Sequence, residues 1–230
     1  MRAAWTREYA TAAGRLVSDA PTAYALAIVF ELVTDPELRA AMGDRLASLV
    51  RRDGFRIGTG FVGTPLIQDA LVRTGHAETA RRLLLQTENP SWLYPVTMGA
   101  TTVWERWDSM LEDGTVNPGE MTSFNHYAFG AIADWLHRAV AGLAPLEPGY
   151  RRIAIAPLAL AGIEWAATEH ETPYGRAAVR WEARDGRVTV RATVPPNTTA
   201  HVDLQGIDRH EVGSGEHGWT IDDPRSAGEE

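Results

Sequence analysis

The sequence predicts a multidomain chain, α first and β second, and three observations carry that reading. Apolar residues recur at helical spacing up to about residue 143 and at every second position afterwards. Helix caps and breakers punctuate the first part. A Pro- and Gly-bearing segment, Leu143-Ala-Pro-Leu-Glu-Pro-Gly149, marks the change of period.

The helices follow from local chemistry. Asp35-Pro36-Glu37 predicts a helix start, with Asp35 as N-cap and Pro36 at the first helical position. Leu38, Met42, Leu46, Leu49 and Val50 then recur at helical spacing until Asp53-Gly54 stops the run. The preceding helix, Thr22 to Val33, is apolar almost all round, as enclosed helices are. Thr64 to Arg73 and His76 to Gln86 form a second pair across a Thr74-Gly75 break. Phe124, Tyr127, Ala131, Ile132, Trp135 and Ala139 predict a last amphipathic helix capped by Ser123. Short breaks between paired helices describe helical hairpins. An α/α toroid suits this alternation of enclosed and half-exposed helices, and so does a simple bundle.

Beyond residue 143 the strands are Arg151 to Ile155, Ile163 to Thr168, Ala177 to Ala183, Val188 to Val194 and Thr199 to Leu204. Asp185-Gly186 supplies a hairpin turn. This predicts a small antiparallel β-sandwich over residues 144–212, after a helical domain over residues 1–143. Residues 213–230 read as a polar, Gly-rich, frayed tail.

Composition narrows the chemistry. Among 230 residues, 22 are basic and 30 acidic, a net charge of −8, which argues against nucleic acid or an anionic membrane as partner. With no cysteine, disulfides, thiol nucleophiles and Cys-ligated zinc are excluded together. His170, His201, His210 and His217 do not have metal-ligand spacing, so no metal is predicted. Met1 to Asp19 has no signal-type apolar stretch. The run Ala20 to Val33 is too short to span a bilayer, which predicts a cytoplasmic chain. Eight Trp stand beside five Phe and six Tyr, a composition that suits either two cores or the flat faces that sugar rings need.

The most informative segment is Pro90 to His126. Its 37 residues include three Trp, one Tyr, five carboxylates, Asn125 and His126. A loop of that length inside a helical domain usually has a functional reason. In a helical turn Glu105 and Asp108 share one face, and Trp104 and Trp107 another. Carboxylates beside indoles are what glycoside hydrolysis uses. The alternative is that both Trp residues are core and Glu105 pairs with an arginine. His126, likewise, is either a hydrogen-bonding partner for a sugar hydroxyl or a satisfied helix-terminal histidine.

Three blocks, Thr59-Gly-Phe-Val-Gly-Thr-Pro65, Thr101-Thr-Val-Trp-Glu-Arg-Trp-Asp108 and Ser123-Phe-Asn-His-Tyr-Ala128, resemble the latter half of bacterial α-L-rhamnosidases in this order. Gly149-Tyr-Arg-Arg-Ile153 and Thr172-Pro-Tyr-Gly-Arg176 extend the resemblance into that family's C-terminal β-sandwich. The resemblance implies a partial α/α six-hairpin toroid, then the β domain. It implies inverting hydrolysis of terminal α-L-rhamnosyl residues in a rhamnose-containing glycoside or oligosaccharide, without metal or organic cofactor. Glu105 would be the general base, with Arg106 or His126 as a neighbouring cation. His126, Asn125, Trp104 and Trp107 would contact the sugar. The family's general acid lies upstream of the matched region, so the resemblance also implies a chain inactive alone. A gene fragment, a late start codon or half of a split enzyme would explain it. The implied partner is the missing N-terminal half or a second copy, because a half-toroid should expose apolar surface such as the Thr22 to Val33 helix. A non-catalytic carbohydrate-binding fragment is the alternative reading, and a lyase acting on acidic polysaccharide ranks behind it.

Overall fold

The computed structural model describes residues 1–225, which divide into a helical unit, Met1–Ile132, and a β-rich unit from Ala133 onward. The first unit contains α1 (Arg2–Tyr9), α2 (Pro21–Val29), α3 (Pro36–Arg52), α4 (Thr64–Arg73), α5 (Ala77–Leu84) and α6 (Leu93–Thr97). None of the described helices is long and apolar enough to cross a membrane.

The local signals for α3 act as expected. The Asp35 carboxylate accepts the Leu38 N–H at 2.8 Å, Pro36 occupies the first turn, and Arg51 and Arg52 lie at the negative end of the helix dipole. Its apolar stripe places Met42, Leu46 and Leu49 against Ile67 and Leu71 of α4 and Leu83 of α5, all fully buried. Gly43 sits where any Cβ would come within 2.3 Å of Thr74, so glycine lets α3 approach the end of α4.

The all-round apolar helix ends earlier than its composition suggests. In α2, Tyr24, Ala25, Ala27 and Ile28 are buried against α3 and α4, and Phe30, just past its end, is exposed. The Tyr24 hydroxyl donates to Asp19 at 2.7 Å and accepts the Leu16 N–H at 3.1 Å, so its burial leaves no unpaired polar group. The expectation that a half-toroid exposes this stretch holds in part: α3 and α4 cover its buried residues, while Phe30 is exposed.

The Ser123-capped helix is also corrected. Ser123 Oγ accepts the Asn125 N–H at 3.2 Å, a turn contact and not a cap, while the His126 N–H is donated to Val103 O at 2.8 Å. The carbonyls that would accept the first helical bonds are committed elsewhere, Ser123 O to the Glu105 N–H and Phe124 O to the Thr102 hydroxyl. The chain turns helical only at a 3-10 turn, Ala128–Ala131, followed by α7 (Ile132–Trp135) and a π-turn, Leu136–Val140.

The second unit contains β1 (Leu143–Pro145), β2 (Arg152–Ile155), β3 (Trp165–Thr172), β4 (Gly175–Arg184), β5 (Arg187–Val194), β6 (Thr199–Val202), β7 (His210–Val212) and β8 (Gly215–Asp222). They form two four-stranded sheets, β1-β2-β6-β7 and β3-β4-β5-β8. All pairs are antiparallel except β2 with β6, which run parallel. Asp185-Gly186 turns β4 into β5 with both residues at positive φ, as the tight hairpin turn requires. Alternation buries Ala177, Val179 and Trp181 on β4 and Val188, Val190 and Ala192 on β5.

The polar tail is a correction as well. Gly215–Asp222 is β8, paired with β5 from Val194↔Gly215 to Arg187↔Asp222. Its glycines and polar residues mask an alternation in which Trp219 and Ile221 face inward. The remaining tail residues, 226–230, lie outside the described residues.

Candidate active site

The candidate site is a loop-built cluster in the first unit, where the second and third sequence blocks are laced together by backbone bonds. Glu105 N–H donates to Ser123 O at 2.8 Å, and His126 N–H donates to Val103 O at 2.8 Å. The Thr102 hydroxyl donates to Phe124 O. These bonds join two segments about twenty residues apart, and they place Glu105 beside His126.

Glu105 is mostly enclosed, its side chain 17% exposed. One carboxylate oxygen, Oε2, accepts the Ser123 N–H at 3.2 Å, closing a reciprocal pair of bonds between the two residues. The other, Oε1, lies 4.0 Å from His126 Nε2. That separation is too long for a hydrogen bond, but an oxygen about 2.8 Å from each atom would fit at the apex of a flat triangle. One carboxylate oxygen is thus anchored, and the other is aimed at a position where water or a hydroxyl can stand.

Arg106 does not serve Glu105. Its guanidinium grips Asp108 through two bonds of 2.7 and 3.1 Å, and it also reaches Glu120 O. Asn117 donates to the same Asp108 carboxylate at 2.9 Å. This clamp closes the intervening loop, which Gly114 turns at φ +82°. The segment is irregular and not a helical turn, so Glu105 and Asp108 do not share a face; Asp108 is occupied in holding the loop. The nitrogen-bearing side chain that faces Glu105 is His126.

The two indoles separate clearly. Trp104 is buried, with edge-on contacts to Tyr94 and Phe124 at centroid distances of 6.5 and 5.2 Å, so it braces the loop from within. It presents no face to solvent. Trp107 is half-buried and stacks on Phe129 at 3.8 Å, with Trp92 meeting it edge-on. Phe129 touches Phe61, Phe61 stacks on His126 at 5.1 Å, and His126 stacks on Tyr127 at 5.2 Å. A continuous series of ring contacts therefore runs from Trp92 to Tyr127 and includes the His126 imidazole.

Asn125 is exposed on the same loop, one residue from His126. Phe61, Phe129 and Tyr127 belong to the site although no role was read for them in the sequence. The available signal was Phe61 itself, central in the Thr59–Pro65 block. Gly63 beside it is required because a Cβ there would come within 2.4 Å of Thr22, and this tight fit seats the block against α2.

Comparison with known proteins finds relatives for both units. Residues 1–140 match the model of the bacterial alpha-L-rhamnosidase 6 hairpin glycosidase domain, and residues 142–218 match that of the bacterial alpha-L-rhamnosidase C-terminal domain. An alpha-L-rhamnosidase of Streptomyces avermitilis is 38% identical over 96% of this chain, which spans 23% of that relative. One of Formosa agariphila is 39% identical over 82% of the chain and 20% of the relative. Among solved structures, native α-L-rhamnosidase from Aspergillus terreus superposes with TM-score 0.91 at 40% identity, covering 96% of this chain and 26% of its own. The Streptomyces avermitilis enzyme complexed with L-rhamnose superposes at 0.90 with 37% identity, covering 96% and 23%. The chain thus spans about a quarter of the length of these relatives. With one family model covering the helical unit and another most of the β-rich one, the chain belongs to the bacterial α-L-rhamnosidase family of six-hairpin glycosidases.

Proposed function

We propose that this chain contributes the base side of an inverting α-L-rhamnosidase site, with Glu105 as general base and His126 as a sugar-binding residue. The observation that carries the proposal is the split use of the Glu105 carboxylate: Oε2 held by the Ser123 N–H, Oε1 turned toward His126. A general base needs one oxygen in register with a water and the side chain unable to swing away. Anchoring one oxygen supplies both.

In an inverting hydrolysis a carboxylic acid protonates the glycosidic oxygen while a second carboxylate, roughly 6.5–9.5 Å away, takes a proton from the attacking water. Water oxygen bonds to the anomeric carbon as the bond to the leaving oxygen breaks, and the water proton passes to Glu105. The acid is proposed to come from sequence upstream of this stretch. Asp108, the carboxylate nearest to Glu105 along the sequence of the loop, is engaged by Arg106 and Asn117. His126 Nε2 would donate to a hydroxyl of the rhamnosyl ring. The substrate class is a rhamnose-terminated glycoside, in line with the relative solved with L-rhamnose.

The test is turnover of an aryl α-L-rhamnoside. The 230 residues alone should show negligible hydrolysis, and robust turnover by them would overturn the missing-acid part of the proposal. In a longer parent chain carrying the upstream segment, Glu105→Gln should lower kcat by about 10²- to 10⁴-fold. NMR of the first product formed should show the inverted anomer. Retained configuration, or a Glu105→Gln variant with full activity, would remove Glu105 from the role of base.

A further inference from the structure

The outer face of the sheet β3-β4-β5-β8 carries a charge arrangement for which the rhamnosidase reading has no use. Arg180 on β4 stands directly opposite Arg191 on β5, and Arg184 stands opposite Arg187 at the hairpin end of the same strands. Glu182 and Thr189 form the rung between them. Like charges face to face across a ladder repel, so a sheet carries such rungs at a cost.

The hairpin-end rung is relieved from within the fold. Arg184 pairs with Glu182 at 2.5 Å, and Arg187 with Asp222 of β8 at 3.3 Å. Farther along the face Arg176 pairs with Glu169 at 2.6 Å. Arg180 and Arg191 form no ion pair among the described residues. Arg180 instead lies over the ring of Trp165 at 4.7 Å, and that indole is 54% exposed. A guanidinium held over a ring in this way keeps N–H donors that can still bind a carboxylate. The contact also fixes the guanidinium in place, which lowers the entropy lost on binding.

Arg180, Glu182, Arg184, Arg187, Thr189 and Arg191 line one shallow depression, and a second shares Arg180 and Arg191 and adds Arg176 with Glu169 and Glu216. Four arginines against one glutamate make the first depression locally positive in a chain of net charge −8. This is charge complementarity in search of an anion.

We propose that this face is a second carbohydrate-binding site, selective for a saccharide that carries carboxylate groups. A carboxylate bridges Arg180 and Arg191, and the sugar ring bearing it lies beside the exposed edge of Trp165. The arginine rung argues for the anion. That the anion is borne on a sugar rests on the proposed glycosidase function.

Calorimetry of the whole chain with tetragalacturonate tests the proposal, with maltotetraose and tetraglutamate as probes of sugar without charge and charge without sugar. Tetragalacturonate should bind, more weakly as salt is raised. Arg180→Ala and Arg191→Ala should each weaken binding roughly tenfold. Glu105→Gln should leave it unchanged. Because both arginines are exposed and repel, the double variant should melt no lower than the parent chain. If it does melt lower, Arg191→Glu, which gives Arg180 a partner across the ladder, should keep the fold and still abolish binding. No binding at millimolar tetragalacturonate overturns the proposal, as does full binding by the Arg191→Glu variant. Equal binding of maltotetraose or tetraglutamate overturns the choice of ligand. Loss of binding in Glu105→Gln would place the uronide in the other site and overturn it too. A longer parent inactive on rhamnosides, with tetragalacturonate binding intact, would defeat only the rhamnosidase reading.

Discussion

His126 Nδ1 accepts the Ala128 N–H at 3.3 Å, while its Nε2 lies 4.0 Å from Glu105 Oε1. A neutral imidazole that accepts at one nitrogen carries its proton on the other. The backbone two residues away therefore aims the His126 proton at the carboxylate side of the site. Nitrogen-15 NMR of the imidazole near neutral pH should show the Nε2–H tautomer, and a dominant Nδ1–H form would contradict this orientation.

Phe61 and Tyr127 each stack on that imidazole. Phe61→Ala removes the inner ring and breaks the link to Phe129 and Trp107. It should cost about 1–2 kcal/mol in urea unfolding, the worth of aromatic contacts beyond buried area. It should also broaden the His126 ring resonances. Sharp, unshifted resonances in Phe61→Ala would show that the stack does not hold the ring.

The two indoles of the central block should respond differently to truncation. Trp104→Ala opens a cavity at a buried position and should cost about 3–5 kcal/mol. Trp107 is partly exposed and retains a neighbour in Phe129, so Trp107→Ala should cost clearly less. Chemical denaturation of both variants gives the order, and a larger loss for Trp107→Ala would reverse the assignment of Trp104 as the internal brace.

In the second unit, burial holds the His137 imidazole below its ordinary value, with His170 adding to the effect. Its Nδ1 sits 2.6 Å from the Thr168 hydroxyl. A histidine depressed on folding binds its proton more readily in the unfolded chain. Its contribution is therefore present above about pH 6.5 and is lost as pH falls through the folded value. The melting temperature should drop between pH 7.5 and pH 5, and His137→Gln should flatten that drop. An identical pH profile in His137→Gln would assign the acid sensitivity elsewhere.

Trp181 is fully buried and donates from Nε1 to Val140 O at 2.7 Å. Trp181→Phe leaves that carbonyl without its donor as well as a small void. The expected cost is about 1–3 kcal/mol for the unpaired group, with repacking added. A Trp181→Phe chain as stable as the original would mean that another donor reaches Val140.

How much was legible follows from the range of each interaction. The start of α3 needs only Asp35, Pro36 and the Leu38 N–H, three residues away, so it can be read directly. The Asp185-Gly186 hairpin is local for the same reason. The Ser123 helix start is not legible locally, because the carbonyls of Ser123 and Phe124 are taken by Glu105 and Thr102, far back in the chain. β8 was misread because its pairing with β5 spans a long connection and its own composition is that of a tail. Arg106 was available to Glu105 by sequence alone, and only the folded loop shows Asp108 taking it.

The sequence by itself determined the order of architectures and carried the blocks whose family resemblance implies Glu105 and His126 as the candidate pair. Those depend on periodicity, caps and motif identity, which are properties of neighbours along the chain. The tertiary structure decided which oxygen of Glu105 is anchored, which indole is internal, and which ring nitrogen of His126 faces the carboxylate. Each of these is set by backbone hydrogen bonds and ring contacts between distant residues, and no local propensity encodes where such partners meet.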